Sequence, residues 1–329
     1  MNPAVTVIIP NFNYADFIEE TLRSVLNQTF QDFEAIVIDD GSTDQSLQVI
    51  KKIRDEFRGK LILIEQENKG VYAARNRAIK IARGRYISFL DADDIWEPET
   101  LEGLVTYLEA NPNCMMAYAN ASFFYNDTRR ELGHNIGPGS KKTPHTGRCA
   151  DKLFLEGNFI PFMTTILRRQ AFEQVGFFNE TLKVGGDYDM FMRIACLYPI
   201  GYVDRLLCRV RRHNRNLSFK LLLQAVTQIR ILKKALKFFS DHQFRIDEMA
   251  VRKRWAQIYY ELGTALVLNA EPKRARLALR KSLSMNPSFF SNKIVFYMFL
   301  SFFLPLAGGL KSLRTYWHVM REKLRIRNR

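Results

Sequence analysis

The feature that most restricts the fold is a strict alternation of β-branched apolar runs with helical patterns over residues 4–94. Residues 4–9, AVTVII, are a Val/Ile run halted by Pro10 and Asn11, which predicts a buried strand of the parallel type followed by a loop. Phe17, Ile18, Leu22, Val25 and Leu26 then recur at helical spacing, with Asp16 and Glu19 placed as a capping box. A strand at 33–38, a helix over 44–57, a strand LILIEQE, a helix VYAARNRAIKIAR and a strand RYISFLDADD follow. Parallel neighbours need right-handed crossover connections, so this order predicts an α/β fold: a Rossmann-like, mostly parallel sheet flanked by helices on both faces.

In such a sheet ligands bind beyond the carboxyl ends of the strands. Those ends carry Pro10 to Asn13, Asp39 to Ser42, Glu65 to Lys69 and Asp91 to Asp94. No G-x-G-x-x-G follows the first strand and no G-x-x-x-x-G-K-[ST] occurs in the chain, which excludes the usual dinucleotide and P-loop sites. The tips are acidic, so a phosphate ligand there needs a bridging metal more than a nest of backbone amides. In RYISFLDADDIWEP, Asp91, Asp93 and Asp94 crowd one strand end. Mg²⁺ and Mn²⁺ prefer hard oxygen ligands, and two carboxylates two residues apart on a turning backbone can face one site. The plain alternative is a solvated turn that caps the helix after Pro98.

Beyond that turn the pattern predicts a helix at 98–110, a strand at 114–124 and a strand near 163–168 with a short helix after it. The polar, Gly/Pro-rich stretch 126–148 reads as a loop shaped by substrate. Gly185-Gly186 open a helix with Phe191, Ile194 and Ala195 inward. From about residue 216 the chain becomes helical, with a tetratricopeptide-like hairpin at 259–287 that places Gly263, Ala265, Ala275, Ala278 and Leu279 at close-packing positions. Residues 294–310 hold 17 uncharged positions interrupted by Pro305 and Gly308-Gly309, at the lower edge of what a bilayer span requires.

Three segments together carry a resemblance: VTVIIPNFNYADFIEETLRSVLNQTFQDFEAIVIDDGSTDQS, NKGVYAARNRAIKIARGRYISFLDADD and GGDYDMFMRIA. In this order, each at a predicted strand end or helix start, they resemble family 2 glycosyltransferases of the GT-A fold, over residues 3–215. The resemblance implies a catalytic domain at 1–215 and a basic helical extension at 216–329. It also implies a nucleotide-sugar donor, an inverting transfer and Mg²⁺ or Mn²⁺ as cofactor. Pro10, Asn11 and Asn13 are matched to the base and ribose, Asp40 to a ring N–H of uracil or thymine, and Asp39 to the turn that presents it. Asp91 is matched to a ribose or metal contact and Asp93 to the metal itself, while Asp94 sits where the family varies more. Asp187 takes the place of the catalytic base, although Gly186 stands where the commoner pattern has Glu. In CRVRRHNRNLS (208–218), Arg211, Arg212 and His213 are matched to a basic stretch that closes over the diphosphate and metal, and Arg75 and Asn76 buttress the donor.

Charge divides the chain. Residues 1–200 hold 22 Lys and Arg against 27 Asp and Glu, a net of −5, and residues 201–329 hold 27 against 7, a net of +20. A basic end on a mildly acidic body fits an anionic membrane leaflet, with a lipid-linked or polysaccharide acceptor. It also allows a soluble transferase acting on a protein or small acceptor, with the C-terminal helices as a protein-interaction module; no nucleic-acid motif accompanies the charge, so nucleic acid is not expected. Four scattered cysteines, without C-x-x-C spacing, predict reduced thiols, and the N-terminus has no signal-peptide pattern, which gives a cytoplasmic enzyme at the inner face of the membrane.

Overall fold

A computed structural model describes residues 2–126, 131–135, 142–213, 221–287, 297–298 and 301. By their contacts they divide into two units, Met1–Phe219 with Arg230–Arg245, and Lys220–Ile229 with Ile246–Arg329.

The first unit opens with β1 (Val5–Asn11), α1 (Ile18–Leu26), β2 (Phe33–Asp39), α2 (Ser46–Arg54), β3 (Leu61–Glu65), α3 (Val71–Ile81) and β4 (Tyr86–Phe89). It continues with β5 (Ile95–Trp96), α4 (Thr100–Ala110), β6 (Met116–Tyr125), β7 (Glu131–His134), α5 (Ala150–Glu156), β8 (Thr165–Arg168), α6 (Gln170–Val175), α7 (Gly186–Leu197) and β9 (Ile200–Arg212). The strands form one sheet in the order β3-β2-β1-β4-β8-β6-β9-β5, with β7 on β6.

From β3 to β4 every pairing is parallel, as the alternation predicts. Beyond β4 the sheet is mixed: β8 runs antiparallel to both β4 and β6, β6 runs parallel to β9, and β5 is antiparallel to β9. Strand–helix alternation marks only strands joined by helical crossovers, and β8 slots between two strands that precede it in the chain. β9 is a strand that the sequence pattern does not signal. Leu207, Cys208 and Val210 are buried without a clean alternation, and so is Arg211, so the arginines between them mask the strand.

β1 does not stop at Pro10 but runs through it to Asn11. Odd positions of β1 face β2, where the Asp40 N–H donates to the Asn11 carbonyl at 2.8 Å; even positions face β4, where the Leu90 N–H donates to the Ile8 carbonyl at 3.1 Å. Pro10 is even and lies past the end of β4, so its missing N–H costs the ladder nothing. The expected capping box of α1 is likewise replaced: Phe17 is the N-cap and makes no side-chain cap bond. Phe17 and Ile18 are buried instead, so packing of the apolar face sets where the helix begins.

The core lies on both faces of the parallel half. Val5, Val7, Ile9, Leu22, Val25, Val37, Ile50, Leu101 and Leu104 belong to one cluster of buried side chains, each contributing roughly 1.5–3 kcal/mol by removal from water. All four cysteines are free, and all but Cys114 are buried.

In the second unit, α8 (Leu221–Asp241) contributes its first turns, and α9 (Glu248–Leu268) and α10 (Pro272–Met285) form a helical hairpin. A Cβ on Gly263 would lie 2.6 Å from the Leu279 side chain, so glycine lets the two helices approach. No helix among the described residues is long and apolar enough to cross a membrane. The 294–310 segment lies outside the described residues except at 297–298 and 301.

Candidate active site

At the tips of β1 and β2 the acidic residues are occupied by the backbone. The Asn11 amide donates to Asp39 Oδ2 at 2.7 Å and to Ser42 Oγ at 3.1 Å, and Asp39 Oδ1 accepts the Ser42 N–H at 2.9 Å. Asn13 sits at φ +59°, a left-handed conformation that Asn adopts more readily than most residues. Its Oδ1 accepts the Thr43 N–H at 2.7 Å, which ties the two tips together. Both oxygens of Asp40 are engaged: Oδ1 takes Gln66 Nε2 at 2.7 Å and the Lys69 N–H at 2.8 Å, and Oδ2 takes the Gly70 N–H at 2.8 Å. Asp40 therefore holds the 66–70 loop and the start of α3. One acceptor is left over, since Asn11 Oδ1 is buried without a hydrogen-bond partner.

The β4 tip is arranged differently. Arg75, on α3, donates to Asp91 Oδ1 at 2.5 Å, and its guanidinium lies 4.3 Å from the centre of the Phe162 ring, with Tyr72 and Phe178 at 5.6 and 5.9 Å. The Asp91 side chain stays 34% exposed. Desolvation lifts its pKa above the usual carboxylate range against the pull of Arg75. Asn76 supports this cage by donating to the Phe178 carbonyl at 2.9 Å and accepting the Phe178 N–H at 3.0 Å.

Asp93 Oδ2 lies 2.9 Å from His213 Nε2, with both side chains nearly buried. The His213 ring stacks on Phe17 at 4.9 Å and meets Tyr14 edge-on at 6.0 Å. Asp94 turns inward, where its Oδ1 accepts the Arg211 N–H at 2.9 Å. Burial, reinforced by Asp93 and Asp91, pushes the Asp94 carboxyl well above its ordinary value. Arg211 is a strut: its Nε donates to the Asp93 carbonyl, Nη1 to Asn126 and Nη2 to Glu20, and the side chain is 1% exposed. The expectation of a basic loop over the diphosphate is thus corrected for Arg211, because it ends a strand and is spent on the protein itself. Arg212 and His213 follow at the strand end, with the Arg212 guanidinium over Phe123 at 4.5 Å, and 214–218 lie outside the described residues.

Asp187 is the second residue of α7 and is half-buried. Asn158 donates to its Oδ2 at 2.9 Å. Burial raises its pKa, opposed by the Arg75 charge, by backbone amides of the first turn and by Asn158. Two residues on, Asp189 is paired with Arg193 at 2.9 Å, and Arg193 donates onward to the carbonyls of Val175 and Phe177. That pair braces the loop before α7.

Asp91, Asp93, Asp187, Arg75, Arg212 and His213 therefore share the carboxyl-end rim, while Pro10, Asn11, Asn13, Asp39 and Asp40 build its floor. Among the described residues no three His, Cys, Asp or Glu converge as a ready metal cage. Asp93 and His213 meet, and Asp91 is turned to Arg75. The carboxylate supplies the hard oxygen that Mn²⁺ or Mg²⁺ prefers, and with the imidazole it would fill two of six positions, which phosphate oxygens and water can complete.

Residues that pattern reading passed over also reach the rim. Tyr72, Asn158 and Phe162 do so, and so does Lys142, whose Nζ donates to Asn135 Oδ1 at 3.2 Å and whose pKa burial lowers. They come from one helix interior and from loops without periodic signal; the spacing of Tyr72 and Arg75, three apart on one helix, is the one cue that reaches Tyr72.

Comparison with known proteins fits this geometry. A family model described as glycosyl transferase family 2 matches residues 6–176. Chondroitin synthase of Escherichia coli is 26% identical over 238 residues, which is 71% of this chain and 33% of that protein. Hyaluronan synthase of Pasteurella multocida is 29% identical over 221 residues, 67% of this chain and 22% of that protein. The match thus spans a third or less of either synthase. In fold, the chain resembles Staphylococcus aureus TarS 1–349 in complex with UDP-GlcNAc (TM-score 0.56, 19% identity, covering 93% of this chain and 92% of that one). It also resembles the Pyrobaculum calidifontis mannosyltransferase PcManGT in complex with GDP-Man and Mn²⁺ (TM-score 0.57, 19% identity, covering 96% and 84%).

Proposed function

Since the chain belongs to glycosyl transferase family 2, we propose that it is an inverting, metal-dependent glycosyltransferase that moves a sugar from a UDP- or dTDP-sugar to an acceptor hydroxyl in cell-surface polysaccharide or glycolipid synthesis. The observation that carries this reading is the pairing, on one rim, of a cation-ready Asp93–His213 couple with a separate half-buried carboxylate, Asp187, whose pKa burial raises. Inverting transfer needs those two functions on opposite faces of the sugar: stabilisation of the departing diphosphate and acceptance of a proton from the incoming hydroxyl.

In this reading residues 1–215 are the catalytic domain and 216–329 the extension. Pro10, Asn11, Asn13, Asp39 and Asp40 shape the base and ribose end. Arg75, Asp91 and Arg212 face the diphosphate and the sugar. Asp93 and His213, with Asp91 near them, would hold Mg²⁺ or Mn²⁺, whose bound charge offsets that of the leaving diphosphate. Asp187 accepts the acceptor's proton as its oxygen bonds to the anomeric carbon and the diphosphate departs with the electron pair of the old bond. The raised pKa keeps Asp187 a better base than an exposed aspartate.

A panel of UDP- and dTDP-sugars, assayed for nucleotide diphosphate release with Mn²⁺ or Mg²⁺ and again with excess EDTA, tests the assignment. Release that EDTA abolishes is expected; turnover indifferent to EDTA removes the metal from the reading, and no turnover on any donor removes the reading itself.

The net +20 of residues 201–329 supports peripheral attachment to an anionic leaflet, which suits a lipid-linked or polysaccharide acceptor. The close-packed α9–α10 hairpin favours the second reading, a soluble enzyme with a protein-binding module. Sedimentation with anionic vesicles, comparing the full chain with a truncation before Ser291, separates the two; equal sedimentation of both rejects membrane attachment through the C-terminal segment.

A further inference from the structure

The residue before the base has no side chain, and the structure shows what occupies the space. A Cβ built on Gly186 would lie 2.5 Å from Tyr72 Cε1 and 2.6 Å from Cζ. The ring belongs to α3, 114 positions away in sequence, and its hydroxyl accepts the Gly186 N–H at 2.7 Å. Gly186 is the first residue of α7, whose N-cap Gly185 offers no side-chain acceptor. Leading N–H groups of a helix have no partner within it. Here a tyrosine from another helix supplies one, and the next residue along is Asp187. Tyr72 is itself held firmly: it is 5% exposed and stacks on Phe178 at 5.8 Å. Phe178 is in turn pinned by Asn76, from the same turn of α3 that carries Arg75.

We propose that Tyr72 is the positioning residue of the catalytic base: its hydroxyl caps α7 from outside and fixes the turn that carries Asp187 relative to Arg75 and Asp91, in place of any side chain at 186. The inference rests on the reading of Asp187 as base. A tyrosine at 72 and a glycine at 186 form one complementary unit, since any larger residue at 186 collides with the ring. Through α3 the same unit ties the placement of Asp187 to the aromatic cage that holds Arg75, so the acceptor side and the donor side of the rim share one support.

Tyr72→Phe keeps the ring and deletes only the acceptor. With a donor from the panel above that the wild type turns over, the variant should lose tenfold or more in kcat while donor KM and the Kd for UDP with Mn²⁺ stay within twofold and the Tm within a few degrees. Amide hydrogen exchange at Gly186 in the full chain should quicken tenfold or more. Adding Gly186→Ala to the wild type should cripple folding or turnover, and adding it to Tyr72→Ala should do no further harm. Wild-type kcat in Tyr72→Phe overturns the proposal, as does an equal loss of kcat, UDP binding and Tm, which marks a merely structural tyrosine. Asp187→Asn in parallel keeps the two readings apart. If it turns over normally, or if the wild type turns over no donor, the base assignment falls and this proposal with it; if it is inactive while Tyr72→Phe is normal, only the role of Tyr72 falls.

Discussion

The two halves of the acidic rim use the same residue type for opposite ends. At the β1–β2 tips, Asp39 and Asp40 are 1% and 3% exposed and receive their hydrogen bonds from Asn11, Gln66 and the amides of Ser42, Lys69 and Gly70. At the β4 and α7 tips, Asp91, Asp93 and Asp187 meet side chains, Arg75, His213 and Asn158, and Asp187 also takes amides of its own helical turn. A carboxylate satisfied by backbone N–H groups sets the path of a loop and has little capacity left for a ligand. A carboxylate that meets polar or cationic side chains at the rim lies where substrate, metal or a proton can compete for it. The difference separates scaffold from chemistry more sharply than sequence position does, for Asp93 and Asp94 are adjacent and fall on opposite sides of it.

Substitutions test that division. The largest effect is expected for Asp187→Asn, which retains the Asn158 contact site and removes proton acceptance. Turnover should fall about 10²–10⁴-fold with UDP affinity unchanged by calorimetry, and near-normal turnover would place Asp187 with the scaffold. Asp93→Ala comes next. Titration of UDP with Mn²⁺ should lose its metal-dependent part, and an unchanged isotherm would break the Asp93–His213 assignment.

The pH dependence of kcat sharpens the role of Asp187. Burial raises its pKa and the base works only when deprotonated, so kcat is full at high pH. It declines as pH falls through a value above that of an ordinary aspartate, where Arg75 and Asn158 oppose the shift. A limb at or below the ordinary carboxylate value would show the site to be wetter than described.

On the scaffold half, Asp40→Ala leaves two amides and the Gln66 side chain without their acceptor, a loss of about 1–3 kcal/mol readable by urea unfolding. The smallest effect belongs to Asp94→Asn, because an amide oxygen can still accept the Arg211 N–H. Stability should change by no more than about 1 kcal/mol and turnover by little, whereas collapse of turnover would move Asp94 to the chemical half.

Much of this division was legible in advance, and unevenly. The β1–β4 half of the sheet follows from Val/Ile runs alternating with helical spacing, because burial on both faces imposes both patterns locally. The acids at strand ends were visible for the same reason. The two-state fate of those acids was not: whether Asp40 meets Gln66 and the Gly70 amide, or Asp94 meets Arg211, depends on which distant segment is laid beside it. Arg211 and Arg212 look alike in CRVRRHN, and only the pleat of β9 sends one inward to Glu20 and Asn126 and leaves the other at the rim. The stretch 126–148, expected to be loop throughout, contains β7, which pairs with β6; a four-residue strand that includes Gly133 is too short to announce itself by alternation. Positions 127–130 and 136–141 of that stretch lie outside the described residues.

By itself the sequence determined the family, the parallel core, the placement of carboxylates at strand ends and the separation of a mildly acidic body from a basic helical end, all of which are written in local periodicity, motif order and charge count. The tertiary structure decided which carboxylates hold loops and which meet side chains at the rim, that Tyr72 stands in for the side chain Gly186 lacks, and that the sheet turns mixed beyond β4. Those outcomes depend on contacts between residues up to 120 positions apart, and such contacts leave no periodic trace, because each is a pairing of two surfaces that neither segment encodes alone.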